Sequence, residues 1–273
     1  MAWSCHWSHA TSAAPSAENG GDAQPDLLAR QRFLREHIFV HTHIPKTAGS
    51  SLSHALMAMV GGAHSLDERL RPKRKIGSLS ADERAALAYV GGHIKYGTHE
   101  RFAQTPLYVA AVRDPVERAV SYYRYVCDTP GHPNHAHFAS CNLEEAWDQM
   151  DGRAAATRAE EQSRILCGLD WDAPLDPKLL WQRVESDYFL LIPHDQVSDT
   201  VVRLRRAFGM PVAPTLTVNA SRSARPEVSP VFAEKVRAAN PLDSELVARV
   251  RGSYADRIEQ SCDYIASYCL RQD

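Results

Sequence analysis

Residues 38–56, IFVHTHIPKTAGSSLSHAL, decide the fold of this chain. Apolar and β-branched residues open the segment and stop at Pro45, and apolar residues at helical spacing close it. The small-residue turn KTAGSS, residues 46–51, lies between them. A strand, a small-residue loop and a helix in this order present backbone N–H groups to an oxyanion at the helix N-terminus. The segment therefore predicts a phosphate-binding loop, with the charge of Lys46 beside it.

The position of this lysine excludes the commonest phosphate-binding loop. The nucleoside-triphosphatase motif GxxxxGK[ST] places its lysine directly before the hydroxyl residue that holds magnesium. In this chain Lys46 precedes Gly49 instead. A kinase of that class is therefore a disfavoured alternative, and the loop is expected to bind a different anionic nucleotide.

The composition is that of an ordinary globular protein, with 44% hydrophobic and 23% charged residues among 273. The net charge of −2 gives no global positive field, which argues against a nucleic-acid partner. No apolar run approaches the length that spans a bilayer. Residues 1–26 are rich in Ser, Ala, Gly and Pro, lack the features of a secretion signal, and predict a flexible leader. We expect a single domain over residues 27–273, without a membrane span and located in the cytoplasm.

Strand and helix patterns alternate along the rest of the chain. The apolar runs 107–112 and 188–192 are typical of buried parallel strands. Asp114, Pro115 and Glu117 together mark the start of a helix, because they suit its N-cap, first and third positions. Further helical patterns cover residues 27–36, 80–88, 143–150, 154–166 and 199–208 and most of the chain after residue 230. This alternation predicts an α/β fold of three layers, with a mainly parallel sheet flanked by helices.

A second candidate anion site follows the 107–112 strand. Arg113 ends this strand just before a helix begins, which is where open α/β sheets bind ligands. Ser121 lies two turns into the helix. A guanidinium and a hydroxyl at this place suit a terminal phosphate monoester. The pattern leaves an alternative open, in which Arg113 pairs with a nearby carboxylate and Ser121 is a residue of the helix surface.

Taken together, PKTAGSSL (45–52) and VRDPVERAVSYY (112–123) resemble the paired donor-binding motifs of sulfotransferases that use 3′-phosphoadenosine 5′-phosphosulfate (PAPS). The likeness is closest to the carbohydrate O-sulfotransferases that include the heparan sulfate 2-O- and 6-O-sulfotransferases, and it extends more weakly over most of residues 37–260. The resemblance implies a P-loop-like nucleotide-binding sulfotransferase fold. It also implies PAPS as co-substrate, adenosine 3′,5′-bisphosphate (PAP) as product, and no requirement for a metal.

The same resemblance implies roles for individual residues. In the family the first loop holds the 5′-phosphosulfate, and the Arg and Ser of the second motif hold the 3′-phosphate. On this chain the donor site would consist of Lys46, Thr47, Ala48, Gly49, Ser50, Ser51, Arg113 and Ser121. The segment 219–225 falls where the family has a loop that closes over the nucleotide. Arg222 or Arg225 would then contact the 3′-phosphate, although both are equally explained as surface arginines.

Gly92-His93 in GGHIKYG (91–97) matches the Gly-His segment whose histidine is the proposed base of heparan sulfate sulfotransferases. Imidazole suits this role because it titrates near the operating pH. The alternative is a buried, hydrogen-bonded histidine at a strand end. The implied reaction moves a sulfuryl group from PAPS to an acceptor hydroxyl, expected on a sugar or glycan, with His93 as base and Lys46 stabilising the leaving phosphate. Sulfation of a protein tyrosine or a small metabolite, and a non-catalytic nucleotide-binding protein of the same fold, are the alternatives.

Three further features each have two interpretations. The basic run 69–75 either steers an acidic acceptor or is a solvated loop. Gln162 and Arg164 either line the acceptor cleft or serve the structure of their helix, and the second is favoured. The His-rich loop between Cys127 and Cys141 has ligand types that suit zinc, but their spacing matches no familiar site, so we expect no metal.

Overall fold

The computed structural model describes residues 27–71, 73–149, 159–211 and 223–270 of the chain. The strands in these ranges are β1 (His37–Thr42), β2 (Ser65–Asp67), β3 (Tyr89–Gly92), β4 (Thr105–Val112) and β5 (Tyr188–Pro193). They form one sheet in the order β2-β3-β1-β4-β5, and every neighbouring pair is parallel. The predicted leader at residues 1–26 lies outside the described residues.

Helices connect these strands and pack against the sheet. They are α1 (Leu27–Glu36), α2 (Gly49–Val60), α3 (Ala81–Ala85), α4 (Pro115–Cys127), α5 (His135–Ala139), α6 (Leu143–Asp148), α7 (Glu161–Cys167), α8 (Pro177–Gln182), α9 (Val197–Ala207), α10 (Pro230–Ala238) and α11 (Pro241–Leu270). No helix in the described ranges combines the length and the apolar character that a membrane crossing requires. The sequence-based prediction of an α/β fold with a parallel sheet flanked by helices is confirmed.

Alternate residues of the central strands fill two separate apolar clusters. Phe39 of β1 and Val109 of β4 pack with α1, α2, α9 and α11 in one cluster. Val40 and Tyr108 pack in the other cluster, which includes residues of α7 and α8. Successive side chains of a strand point to opposite faces, so both faces of this sheet are covered. This burial explains why the strands appear in the sequence as continuous apolar runs.

The predicted start of α4 is confirmed in detail. The Asp114 carboxylate accepts hydrogen bonds from the backbone N–H groups of Val116 and Glu117, at 2.9 and 3.1 Å, and Pro115 occupies the first turn. Side-chain caps of this kind stabilise a helix by about 1 kcal/mol. The cap also fixes where the chain turns from β4 into α4, and therefore where Arg113 lies.

One strand and one helix boundary differ from the prediction. Strand β2, at the edge of the sheet between α2 and α3, is not among the strands expected from the sequence. The helix predicted over 154–166 begins only at Glu161 in the described part of the chain, and residues 150–158 lie outside it.

The three strands β1, β3 and β4 end side by side, because parallel strands share one carboxyl edge. The loops that leave this edge carry Lys46, His93 and Arg113.

Candidate active site

The predicted phosphate-binding loop connects β1 to α2 and has a strained backbone. Lys46 and Ala48 have positive φ values of 68° and 66°. This left-handed conformation costs non-glycine residues of the order of 1 kcal/mol each and is common where a backbone is shaped for a ligand. A Cβ atom on Gly49 would lie 2.5 Å from His43 Nδ1, so only glycine fits there. The loop thus ends at the N-terminus of α2, where backbone N–H groups without helical partners can donate to an anion.

A cavity of about 610 Å³ brings most of the predicted residues together. Its lining includes Lys46, Ala48, Gly49, Ser50, Ser51, His93, Arg113, Ser121 and Arg225. Thr47 differs from the rest of the loop, because its side chain is buried and its hydroxyl donates to Ile44 O at 2.9 Å. Thr47 is therefore a structural residue of the loop and is not among the cavity-lining residues. Arg222 lies outside the described residues.

Arg113 is fixed by contacts to both its backbone and its side chain. Its N–H donates to Gln162 Oε1 at 2.9 Å, and Gln162 Nε2 donates to Arg113 O at 2.8 Å. Gln162 N and Ser163 N in turn donate to the buried Asp243 carboxylate at the start of α11, at 3.1 and 2.8 Å. Arg113 Nη1 donates to Lys46 O at 3.2 Å, which joins the second predicted site to the first. Gln162 thus holds Arg113 from behind and is not among the cavity-lining residues.

Glu117 is a cavity residue that sequence reasoning did not single out for the site. Its Oε2 accepts from Arg113 Nη2 at 3.4 Å, and its Oε1 accepts from Arg225 Nη2. Burial alone would raise the pKa of Glu117, but the hydrogen bond and charge of Arg225 and the charge of Arg113 lower it below its ordinary value. Arg113 therefore does pair with a carboxylate, as the alternative interpretation expected, but the pair lies on the cavity. The i,i+4 spacing of Arg113 and Glu117 was the available signal.

One face of α4 attaches the segment that carries Arg225. Ser121, Arg124 and Tyr125 line the cavity from this face, since residues three or four apart are neighbours on a helix. Arg124 Nε donates to Ser223 O at 3.0 Å, and Asp128 accepts from Ser223 N at 3.1 Å. These bonds place Arg225 beside Glu117.

Lys46 is a partly buried cation without a carboxylate directly against it in the described residues. Its Nζ lies 4.0 Å from the centroid of the Tyr125 ring, a cation–π contact. Burial and the charge of Arg113 lower the pKa of Lys46 to about 8, while the charge of Asp128 acts in the opposite direction. Lys46 is thus mostly protonated at neutral pH, and an anion in the cavity would stabilise its charge further.

His93 follows β3 and is exposed, so the alternative of a buried strand-end histidine is wrong. Its ring stands edge-on to that of His43, with centroids 5.2 Å apart and 85° between the planes. His41 and His43 are buried, and burial lowers the pKa of both, that of His41 to about 3. These two rings are therefore neutral near pH 7. Of these three neighbouring histidines, His43 and His93 line the cavity, and His93 is the exposed one.

The basic run 69–75 does not form one surface. Arg74 pairs with Glu83 and Lys75 pairs with Glu68, each at 3.2 Å. Arg69 instead lines the cavity, a placement that sequence reasoning missed. The interpretation of this run as a single steering patch is therefore weakened, and Arg69 becomes part of the site.

The role of Arg164 was the second open interpretation. Arg164 Nη1 donates to Ala173 O at 2.6 Å, away from the cavity lining, which agrees with a structural role.

The third open interpretation was zinc binding. Across the described ranges, no group of three or more His, Cys, Asp or Glu residues is arranged to hold a metal ion. In the His-rich loop, His135 Nδ1 lies 3.0 Å from Val126 O, and Cys127 and Cys141 are free thiols. The zinc alternative thus has no ligand set in this part of the chain.

Comparison with known proteins adds an independent line of support to this geometry. The model of the Sulfotransferase family matches residues 31–168, which is about half of the chain. The matched range runs from within α1 to the end of α7 and includes the loop 46–51, His93 and Arg113. No curated protein matches the chain significantly. The family match, the parallel sheet and the cavity at its carboxyl edge together show that the chain belongs to the sulfotransferase family.

Proposed function

We propose that this protein transfers a sulfuryl group from PAPS to an acceptor hydroxyl, with sugars and glycans as the acceptor class. One observation carries the proposal: a single cavity brings together the loop 46–51, His93, Arg113 and Arg225. These residues come from distant parts of the chain, and each supplies a group that this reaction needs.

The donor fits the cavity through its two anionic ends. The loop N–H groups at the start of α2 suit the 5′-phosphosulfate, because a helix N-terminus favours negative charge. Arg113, Ser121 and Arg225 suit the 3′-phosphate, because guanidinium groups bind phosphate oxygens through paired hydrogen bonds. The 3.2 Å bond between Arg113 Nη1 and Lys46 O supports one ligand bridging both sites.

In the proposed reaction the acceptor oxygen attacks sulfur while the bond from sulfur to the bridging oxygen of PAPS breaks. The electron pair of that bond passes to the 5′-phosphate of PAP, and the sulfuryl group joins the acceptor oxygen. His93 takes the hydroxyl proton, so its imidazole must be neutral before the attack. Lys46 and the loop N–H groups stabilise the charge that develops on the departing phosphate oxygen.

The acceptor class rests on two observations. The segments 45–52 and 112–123 and the pair Gly92-His93 resemble carbohydrate O-sulfotransferases more than other sulfotransferases. His93 is exposed at the carboxyl edge of the sheet, so a bulky acceptor such as a polysaccharide can approach it. Both observations support a glycan hydroxyl over a small buried substrate.

Calorimetric titration with PAP, and separately with ATP and magnesium, tests the donor half of the proposal. We expect PAP to bind and ATP with magnesium to bind far more weakly. Stronger binding of ATP, or no binding of PAP, would contradict a PAPS site.

Transfer of labelled sulfate from PAPS tests the acceptor half. The acceptors are desulfated heparin, a tyrosine peptide and a small phenol, offered separately. We expect label on the polysaccharide. Label on the peptide or the phenol would support the alternative acceptors, and PAP binding without any transfer would support a non-catalytic nucleotide-binding protein.

A further inference from the structure

Arg69 is a cation of the cavity to which the proposed function gives no role. Its side chain is 17% exposed and lines the cavity together with Lys46, Ser50 and His93. Its backbone packs against β3, since a Cβ atom on Gly92 would lie 3.4 Å from Arg69 N. Arg69 therefore enters the cavity from beside the residue that precedes His93.

A buried carboxylate fixes the Arg69 guanidinium. Asp67 is fully buried, its Oδ1 accepts from Arg69 N at 2.9 Å, and its Oδ2 accepts from Arg69 Nη2 at 3.2 Å. Burial alone would raise the pKa of Asp67, but the charge of Arg69 and the hydrogen bonds from Ser53 and Arg69 lower it below its ordinary value. The pair is therefore charged at neutral pH. The guanidinium cannot move away without leaving a buried carboxylate unpaired, which is strongly unfavourable.

Arg69 also determines the direction of two hydroxyl groups. Its Nη1 donates to Ser50 Oγ at 3.0 Å, and its Nη2 donates to Ser53 Oγ at 3.1 Å. A guanidinium is only a donor, so each serine must accept this bond and direct its own hydrogen elsewhere. The Ser53 hydroxyl directs its hydrogen to the buried Asp67 carboxylate. Ser50 lines the cavity, so its hydrogen is left to donate to a group bound there.

The position of Ser50 relative to the cations of the cavity indicates which group of the ligand its hydroxyl would contact. Arg113 contacts the backbone of Lys46 at the start of the loop, whereas Arg69 contacts Ser50 nearer its end. Arg69 also packs next to Gly92, which precedes the candidate base His93. A base must lie near the acceptor oxygen, and that oxygen must lie near sulfur. The Ser50 side of the loop is therefore the side of the transferring group.

We propose that Arg69 is a positioning residue for sulfuryl transfer, which orients the Ser50 hydroxyl to donate to a sulfuryl oxygen of PAPS. This inference rests on the proposed function. A donor that is oriented before the ligand binds needs no reorganisation as negative charge shifts during transfer. PAP has no sulfuryl group, so the contact distinguishes PAPS from PAP.

The test compares Ser50→Ala and Arg69→Lys with the control Arg74→Lys, which alters an arginine of the same basic run that pairs with Glu83. Dissociation constants for PAPS and for PAP are measured by calorimetry without acceptor, with the thermal midpoint of each variant alongside. We expect Ser50→Ala and Arg69→Lys to weaken PAPS binding about tenfold, the loss of one hydrogen bond to a charged group, and PAP binding less than about twofold. Arg74→Lys is expected to change neither constant. Ser50→Ala keeps the Arg69–Asp67 pair, so the test holds even if Arg69→Lys lowers stability.

A variant that combines Ser50→Ala with Arg69→Lys adds a second measurement. Because both residues act through one hydroxyl, the double variant is expected to weaken PAPS binding no more than either single variant. Additive losses, equal losses for PAP and PAPS, or unchanged PAPS binding by Ser50→Ala would each overturn the inference. In these cases the wild-type protein still binds PAP. Failure of the proposed function is different, because the wild-type protein would then not bind PAP at all.

Discussion

Two groups of cations and carboxylates face the same cavity and differ in burial. In the first, Glu117 bridges Arg113 and Arg225, and the side chains of Glu117 and Arg225 are 32% and 58% exposed. In the second, Asp67 is fully buried beneath Arg69, which is 17% exposed. An exposed carboxylate can be replaced by a phosphate group at little cost, whereas a buried one is part of the core. The first group is thus suited to binding and releasing a ligand, and the second to holding a fixed charge.

His93→Ala tests whether the Arg69 side of the cavity, where His93 lies, serves transfer while the Arg113 group serves PAP binding. Removing a general base lowers a rate by roughly 10²- to 10⁴-fold, so sulfuryl transfer from PAPS should fall by this factor. PAP binding should change little, because the 3′-phosphate is assigned to the Arg113 group. Single-turnover rates and PAP titrations measure the two effects. His64→Ala, outside the cavity lining, is the control, and undiminished transfer in His93→Ala would remove His93 as base.

Asp67→Asn tests the contrast in burial directly. Breaking a buried ion pair by removing one partner costs about 3–5 kcal/mol in the free energy of unfolding. Glu117→Gln, at the exposed group, should cost at most about 1 kcal/mol. Urea unfolding of both variants measures the difference. Similar losses in the two variants would mean that the two groups are equally structural.

Arg113→Ala removes the best-fixed cation of the exchangeable group. PAP affinity should fall about 100-fold, or ~3 kcal/mol, because hydrogen bonds to a charged phosphate are lost. Arg203→Ala is a suitable control, since Arg203 is an exposed arginine paired with Asp199. Calorimetry with PAP measures both variants. Equal affinity of Arg113→Ala and the wild type would place the phosphate elsewhere.

Lys46 lines the same cavity as the two groups and makes binding depend on pH. Its pKa is about 8 in the free protein, and a bound anion raises it, so binding takes up a proton above this pH. PAP affinity should be constant between about pH 7 and pH 8, where its phosphates are dianions, and fall by up to about tenfold per unit as the pH rises above 8. Lys46→Arg stays protonated and should abolish this fall. An identical fall in the arginine variant would assign the titration to another group.

The smallest expected effect concerns the role of Glu117 as a counter-ion that phosphate displaces. Glu117→Gln removes the negative charge but keeps the shape of the side chain, so PAP affinity should rise about threefold, as for an exposed ion pair. The increase should shrink at high salt, because exposed charges are screened. Weaker PAP binding by this variant would show that Glu117 orients Arg113 and Arg225 for the ligand and is not displaced.

The parts of the site that could be predicted depend on local chemistry. Proline, glycine and capping residues act within one turn, so the loop 46–51 and the start of α4 were clear from the sequence. The strand β2 has three residues, too few for a periodic pattern, and the Asp67–Arg69 pair was missed with it. Glu117 also pairs with Arg225, more than a hundred positions away, and no local pattern records this second pairing. The domain limits and the cytoplasmic location stay predictions.

The hydrogen bonds that link Arg113 through Gln162 to Asp243 limit where this chain can be truncated. The family match ends at residue 168, but Asp243, which accepts from the first N–H groups of α7, lies in α11. Strand β5, which covers one edge of β4, also follows that boundary. A fragment that stopped at residue 168 would expose the edge of β4 and leave the α7 amides without their acceptor. A folded donor site therefore requires helix α11. The segment that matches the family model is similar in sequence to the family but is not expected to fold by itself.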